Sequence, residues 1–143
     1  MKILVTGGTG YIGSHTVVEL QKQGHQVEIL DNLFNSKITV LEKINQLTGH
    51  TPVFHQVDLL DYQKMRELFA ATQFDAVIHF AGLKAVAESI EQPLRYYENN
   101  VTGTLNLLKC MAEFKVNRII FSSSATVYGN TNSGKLDESM TTG

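Results

Sequence analysis

The stretch Met1-Lys2-Ile3-Leu4-Val5-Thr6-Gly7-Gly8-Thr9-Gly10-Tyr11-Ile12-Gly13 decides the fold. Ile3-Leu4-Val5 is a short apolar run that reads as a strand. Glycines then recur at every third position, Gly7, Gly10 and Gly13, and a helical pattern runs from Gly13 to Gln23, with Gly24 where a helix C-terminal glycine belongs. Strand, glycine loop and helix in that order suit a pyrophosphate: free backbone N–H groups at the positive helix end meet the anion, and glycine removes the Cβ that would block its approach. Gly13 would let the helix pack tightly on the strand. Spaced glycines alone are weak evidence, because an isolated match is as often a flexible turn. Asp31 adds the context. It lies 18 residues past Gly13, just after a second apolar run, Val27 to Leu30. An acid at that offset accepts hydrogen bonds from ribose hydroxyls and repels a 2′-phosphate, so the expected cofactor is NAD rather than NADP.

The same alternation continues along the chain. Pro52 to Val57, Ala76 to Phe80 and Arg118 to Ser122 read as the third, fourth and fifth strands. Ile38, Leu41, Ile44 and Leu47 suggest one helix face, and Asp61 is placed to cap a helix carrying Met65, Leu68 and Phe69. Val101, Leu105, Leu108 and Ala112 line one apolar face of a long helix. Apolar strands separated by helices predict an α/β fold: a doubly wound, Rossmann-like parallel sheet of about five strands with helices on both faces. Asp58 ends the third strand, where it can meet an adenine amino group or make a turn. Residues 129–143 read as loop.

Composition excludes several classes. The chain has 143 residues, enough for one domain, and 43% of them are apolar. A net charge of −2 with interspersed signs carries no nucleic-acid footprint and no polybasic membrane patch. The single cysteine, Cys110, allows no intrachain disulfide and is expected to pack in its helix. The N-terminal apolar run is too short for a signal peptide or a spanning helix, so a cytoplasmic location is expected. The five histidines lack metal-site spacing and partnering cysteines, and His79, in an apolar strand, reads as a hydrogen-bonded core residue. The run from Gly129 to Leu136 approaches a P-loop but ends in Leu136 where Ser or Thr would hold Mg²⁺.

Further segments carry a likeness. With the glycine loop through Ser14-His15 stand Asp31-Asn32-Leu33-Phe34-Asn35-Ser36, Phe80-Ala81-Gly82-Leu83-Lys84, Tyr97-Glu98-Asn99-Asn100 and Phe121-Ser122-Ser123-Ser124-Ala125-Thr126-Val127-Tyr128-Gly129. In order and spacing they resemble the extended short-chain dehydrogenase/reductase family, most closely its sugar-nucleotide 4-epimerases. The resemblance covers essentially the whole chain. It implies that Gly7, Gly10, Tyr11, Ile12 and Gly13 hold the pyrophosphate region and Asp31 to Ser36 the adenosine ribose. Asp58 and Leu59 would meet the adenine. Phe80, Ala81, Gly82, Leu83 and Lys84 would line the path to the nicotinamide, with Asn99 near it. Ser124 would be the catalytic contact to the sugar hydroxyl. The implied reaction inverts carbon 4 of a UDP-sugar, interconverting UDP-glucose and UDP-galactose through a 4-keto intermediate, in a homodimer.

The sequence also departs from the family. Its base is a tyrosine in Tyr-x-x-x-Lys, yet Tyr11, Tyr62, Tyr96, Tyr97 and Tyr128 are followed four residues later by His15, Arg66, Asn100, Val101 and Asn132. Residues 1–143 are therefore expected to form an incomplete NAD-binding domain without the C-terminal substrate domain, inactive alone. An unpaired sheet edge and uncovered apolar side chains would follow, with marginal stability or association. Competing readings are a nucleotide-sugar reductase, a non-catalytic NAD-binding module or sensor, and a 4,6-dehydratase. The last carries Asp-Glu where this chain has Ala125-Thr126.

Overall fold

The computed structural model describes residues 1–129 and 135–142. The near-P-loop run falls partly on 130–134 and so lies outside the described residues. Five strands form one parallel sheet: β1 (Lys2–Thr6), β2 (Gln26–Asp31), β3 (Val53–Gln56), β4 (Ala76–His79) and β5 (Ile119–Phe121), in spatial order β3-β2-β1-β4-β5. Val5 stands opposite Ile29 on one side and Ile78 on the other. The strand order reverses at β1, which opens a crevice beyond the strand C-termini on either side of the glycine loop.

Alternation along the strands splits the core into two layers. Ile3, Val5, Val27, Ile29 and Ile78 pack with Val17 and Val18 of α1 (Tyr11–Lys22) and Ile44 of α2 (Val40–Thr48). Leu4, Leu30 and Val77 face the other way. They pack with Met65, Leu68 and Phe69 of α3 (Tyr62–Ala71) and with Leu107, Cys110 and Met111 of α6 (Gly103–Glu113). Between β4 and α6 lie α4 (Val86–Glu91), α5 (Pro93–Tyr97) and a π-turn (Glu98–Thr102).

Local chemistry sets the helix ends. Gly24, at φ 81°, ends α1: its N–H donates to the Gln21 carbonyl and the His25 N–H to the Leu20 carbonyl. The Asp61 carboxylate accepts from the Lys64 N–H at 3.1 Å and caps α3 as expected.

Two expectations need correction. On α6 the buried face is Gly103, Asn106, Leu107, Cys110 and Met111, whereas Val101, Leu105, Leu108 and Ala112 are exposed. This helix is apolar on two sides, and its burial is decided by the α3 and sheet contacts. Of the 38–47 stripe only Ile44 is buried, because α2 begins at Val40 and Leu47 points to solvent. The fifth strand carries the uncovered apolar side chains that were expected: Ile120 is 63% exposed and Phe121 59%. Among the described residues no helix is long and apolar enough to cross a membrane.

Candidate functional site

A cleft of about 650 Å³ opens at the C-terminal end of the sheet. Gly7, Gly10, Tyr11, Ile12 and Gly13 form its floor, Asp31, Asn32, Phe34, Asn35, Asp58 and Leu59 one wall, and Phe80 to Lys84, Asn99 and Ser124 the other. Of the residues singled out in the sequence, Leu33 and Ser36 do not line it. Leu33 takes a left-handed turn at φ 61°, and the Ser36 hydroxyl is joined to Thr9 Oγ1 at 2.7 Å.

Gly7 and Gly13 are sterically required. Gly7 has φ 69°, and a Cβ there would sit 2.7 Å from the Ala81 nitrogen. A Cβ on Gly13 would run into the Gly7 carbonyl oxygen. The loop thus brings bare backbone to the cleft floor. Gly10 is the N-cap of α1 and offers no side-chain cap, so the first-turn N–H groups of α1 remain for a ligand. The donors and the missing Cβ atoms fit a pyrophosphate.

Asp31, 8% exposed, is held in place by its surroundings. One carboxylate oxygen accepts from the Thr9 N–H at 3.2 Å and the other from the Leu33 N–H at 2.9 Å. It therefore ties the glycine loop to the end of β2 while lining the cleft. Asp58 accepts from the Leu60 N–H and from the Asn32 side-chain amide, each at 2.8 Å. Its turn role and its place in the cleft coexist.

Two features of the opposite wall escaped the sequence reading. Asn100, in the π-turn, clamps Leu83: its Oδ1 accepts from the Leu83 N–H and its Nδ2 donates to the Leu83 carbonyl, both at 2.8 Å. It also accepts from Asn99 Nδ2 at 2.8 Å, so it sets the pose of both cleft segments. The neighbouring asparagines were the available signal, but no spacing rule names which of them faces the cleft.

The second is a directional chain through His79. Thr104 Oγ1 donates to the Asn100 carbonyl at 2.6 Å, so toward the ring it accepts, from His79 Nε2–H at 2.9 Å. His79 Nδ1 then accepts from the Thr6 hydroxyl at 2.6 Å. The ring is 1% exposed, and burial pushes its pKa from 6.5 to about 4. It is the hydrogen-bonded core histidine expected, and it also borders the cleft. Cys110 is fully buried in α6, and burial pushes its thiol up to about 11.

Ser124 caps the 3₁₀ turn Ala125–Tyr128. Its oxygen accepts from the Thr126 N–H at 3.3 Å and the Thr126 hydroxyl at 2.9 Å, which leaves its own proton to donate.

A β3-β2-β1-β4-β5 parallel sheet, glycine loop and acid at the end of β2 define a Rossmann-like domain of the short-chain dehydrogenase/reductase type. The family profile described as GDP-mannose 4,6 dehydratase matches residues 4–142, and the chain belongs to that family. It is 55% identical over 142 residues to the UDP-glucose 4-epimerase of Neisseria meningitidis serogroup C, covering 99% of this chain and 42% of that protein. The Bacillus subtilis UDP-glucose 4-epimerase is 50% identical, with 100% and 42% covered. Among solved structures, the Bifidobacterium longum UDP-glucose 4-epimerase in complex with NAD⁺ and UDP superposes with TM-score 0.95 at 46% identity, covering 100% of this chain and 43% of that one. The Stenotrophomonas maltophila UDP-glucose 4-epimerase, with bound NAD and formylated UDP-arabinopyranose, gives 0.93 at 49% identity, covering 99% and 42%. The chain thus spans about two fifths of the length of these relatives.

Proposed function

We propose that residues 1–143 form the NAD-binding part of a UDP-glucose 4-epimerase. The reading is carried by the bare glycine floor at the start of α1 and Asp31 sharing one cleft. In it, the α1 first turn holds the pyrophosphate, Asp31 to Ser36 the adenosine ribose, and Asp58 with Leu59 the adenine. Phe80 to Lys84 and Asn99 flank the path to the nicotinamide. Leu33 and Ser36 contribute by shaping the loop, since neither lines the cleft. A bound NAD would supply the hydride acceptor and donor that inversion at carbon 4 of a UDP-hexose needs.

The chain's own residues bind and orient. Ser124 directs its remaining proton at an oxygen of the sugar, and no Tyr-x-x-x-Lys base stands in these 143 residues. Turnover therefore belongs to the longer protein, and the isolated chain is inactive. A 4,6-dehydratase needs a general acid to expel the 6-hydroxyl as water. Ala125-Thr126 offers no carboxylate there, which supports epimerisation. Pairing of two complete copies is supported by the exposed row Val101, Leu105 and Leu108 along one side of the helix. A cytoplasmic setting suits a chain with one buried thiol.

Mass spectrometry of nucleotide released on denaturing the purified chain tests the cofactor assignment. NAD near one per chain is expected. NADP in its place overturns the role given to Asp31. A folded chain that neither carries nor takes up NAD overturns the reading.

A further inference from the structure

One contact joins the β2 loop, which walls the cleft, to the segment between β4 and α6 on its other side. The loops after β2 and β4 straddle the glycine loop, because β1 lies between those strands. The β2 loop is shaped to present Phe34: Leu33 is left-handed, the Phe34 N–H donates to Asn32 Oδ1 at 2.9 Å, and the Phe34 side chain emerges 57% exposed at the cleft. From the far side, α5 sends Arg95 over that ring, with its guanidinium carbon 4.7 Å from the ring centroid. That is within the range in which the ring's electron-rich face attracts a cation.

The guanidinium is fixed rather than waving. Arg95 Nη1 donates to Glu88 Oε1 at 2.8 Å. The other Glu88 oxygen accepts from the Tyr96 hydroxyl at 2.6 Å, and that hydroxyl accepts in turn from the Ala85 N–H at 3.1 Å. Tyr96 is 8% exposed, so the whole arm is anchored in α4 and α5. Arg95 itself does not line the cleft; it acts through Phe34.

We propose that Arg95 and Phe34 form a strap across the mouth of the cleft that slows release of the bound dinucleotide. The inference rests on the NAD reading above. A dinucleotide lying along the glycine floor passes beneath the joined loops, so its departure requires the β2 loop to swing away from α5. The ring–cation contact opposes that swing. Arg95 is a positioning residue: it touches the loop and not the ligand.

The test is the dissociation rate of radiolabelled NAD from the chain, chased with excess unlabelled NAD, for wild type, Arg95→Gln, Phe34→Leu and the double variant. An exposed ring–cation contact predicts release about two- to fivefold faster in each single variant. The double variant should release no faster than the quicker single one, because both remove the same contact. The variants change opposite sides of the contact, so misfolding of either, seen in its thermal melt, leaves the other to decide. Wild-type rates in a folded single variant, or multiplying effects in the double, overturn the strap while leaving the cofactor reading intact. No NAD binding by the folded wild-type chain overturns both.

Discussion

Lowering the pH from 7 to 4 should remove about 3 kcal/mol of stability through His79 alone, at about 1.4 kcal/mol per tenfold change in protonation. The ring is buried between Thr6 and Thr104, and burial holds its pKa at about 4 against an ordinary 6.5. The unfolded chain takes up a proton as the pH falls through 6.5, whereas the folded chain does not until about 4. The contribution is therefore fully present above 6.5 and is lost across the interval below it. Protonation also breaks a specific bond, because Nδ1 accepts from the Thr6 hydroxyl and cannot accept once it carries hydrogen. The assay is urea unfolding followed by circular dichroism, in steps of pH, for wild type and His79→Gln. Carboxylates titrate in the same range, but they do so in both proteins, and the difference between the curves removes them. Wild type should be the more stable at pH 7, and the gap should narrow by about 3 kcal/mol toward pH 4. Parallel curves would refute the argument, and so would a His79 ring signal in nuclear magnetic resonance titrating near 6.5.

Gly13→Ala forces a methyl group into the Gly7 carbonyl oxygen. It should cost about 1–3 kcal/mol in urea unfolding, and NAD affinity by isothermal titration calorimetry should fall at least about tenfold if the displaced loop is the pyrophosphate site. Asp31→Asn keeps an acceptor for the Leu33 N–H but removes the charge. Loss of a charged hydrogen bond worth about 1.5–3 kcal/mol should lower affinity for NAD and raise the relative affinity for NADP, and an unchanged NAD to NADP ratio would remove Asp31 from the ribose site. Asn100→Ala frees both polar groups of Leu83. A cost of about 1–3 kcal/mol should come with faster hydrogen exchange at the Leu83 amide; unchanged exchange would count against the clamp.

The glycine floor and Asp31 were legible because their meaning is local. A left-handed Gly7, a Gly13 with no room for Cβ and an acid at the end of β2 sit at spacings that one strand–loop–helix unit dictates. The parallel, doubly wound sheet followed from apolar strands alternating with helices. What stayed hidden depends on distant partners. Val101, Leu105 and Leu108 match helical periodicity as well as Leu107 and Met111 do, and only the packing of α3 beside α6 chooses between them. Buried Asn106 looks like a solvent residue until its amide is seen donating to the Leu59 carbonyl at 3.1 Å. The strap is hidden for the same reason, since nothing near Phe34 in sequence announces Arg95.

The π-turn at Glu98–Thr102 has a consequence for how this segment tolerates change in length. A π-turn holds one residue more than the α-helical turn it replaces, so residues before it are out of phase with those after it by about 100°. Pro93 to Glu113 is in effect one rod with two separate settings: the lower keyed to the hydrophobic layer, the upper to the asparagines and the Arg95 arm. Deleting a single residue here would relax the rod into uniform α-helix without disturbing Leu107 or Met111. It would nevertheless turn Asn99, Asn100 and Arg95 away from their partners together, a frameshift in space that spares the core and dismantles the cleft wall.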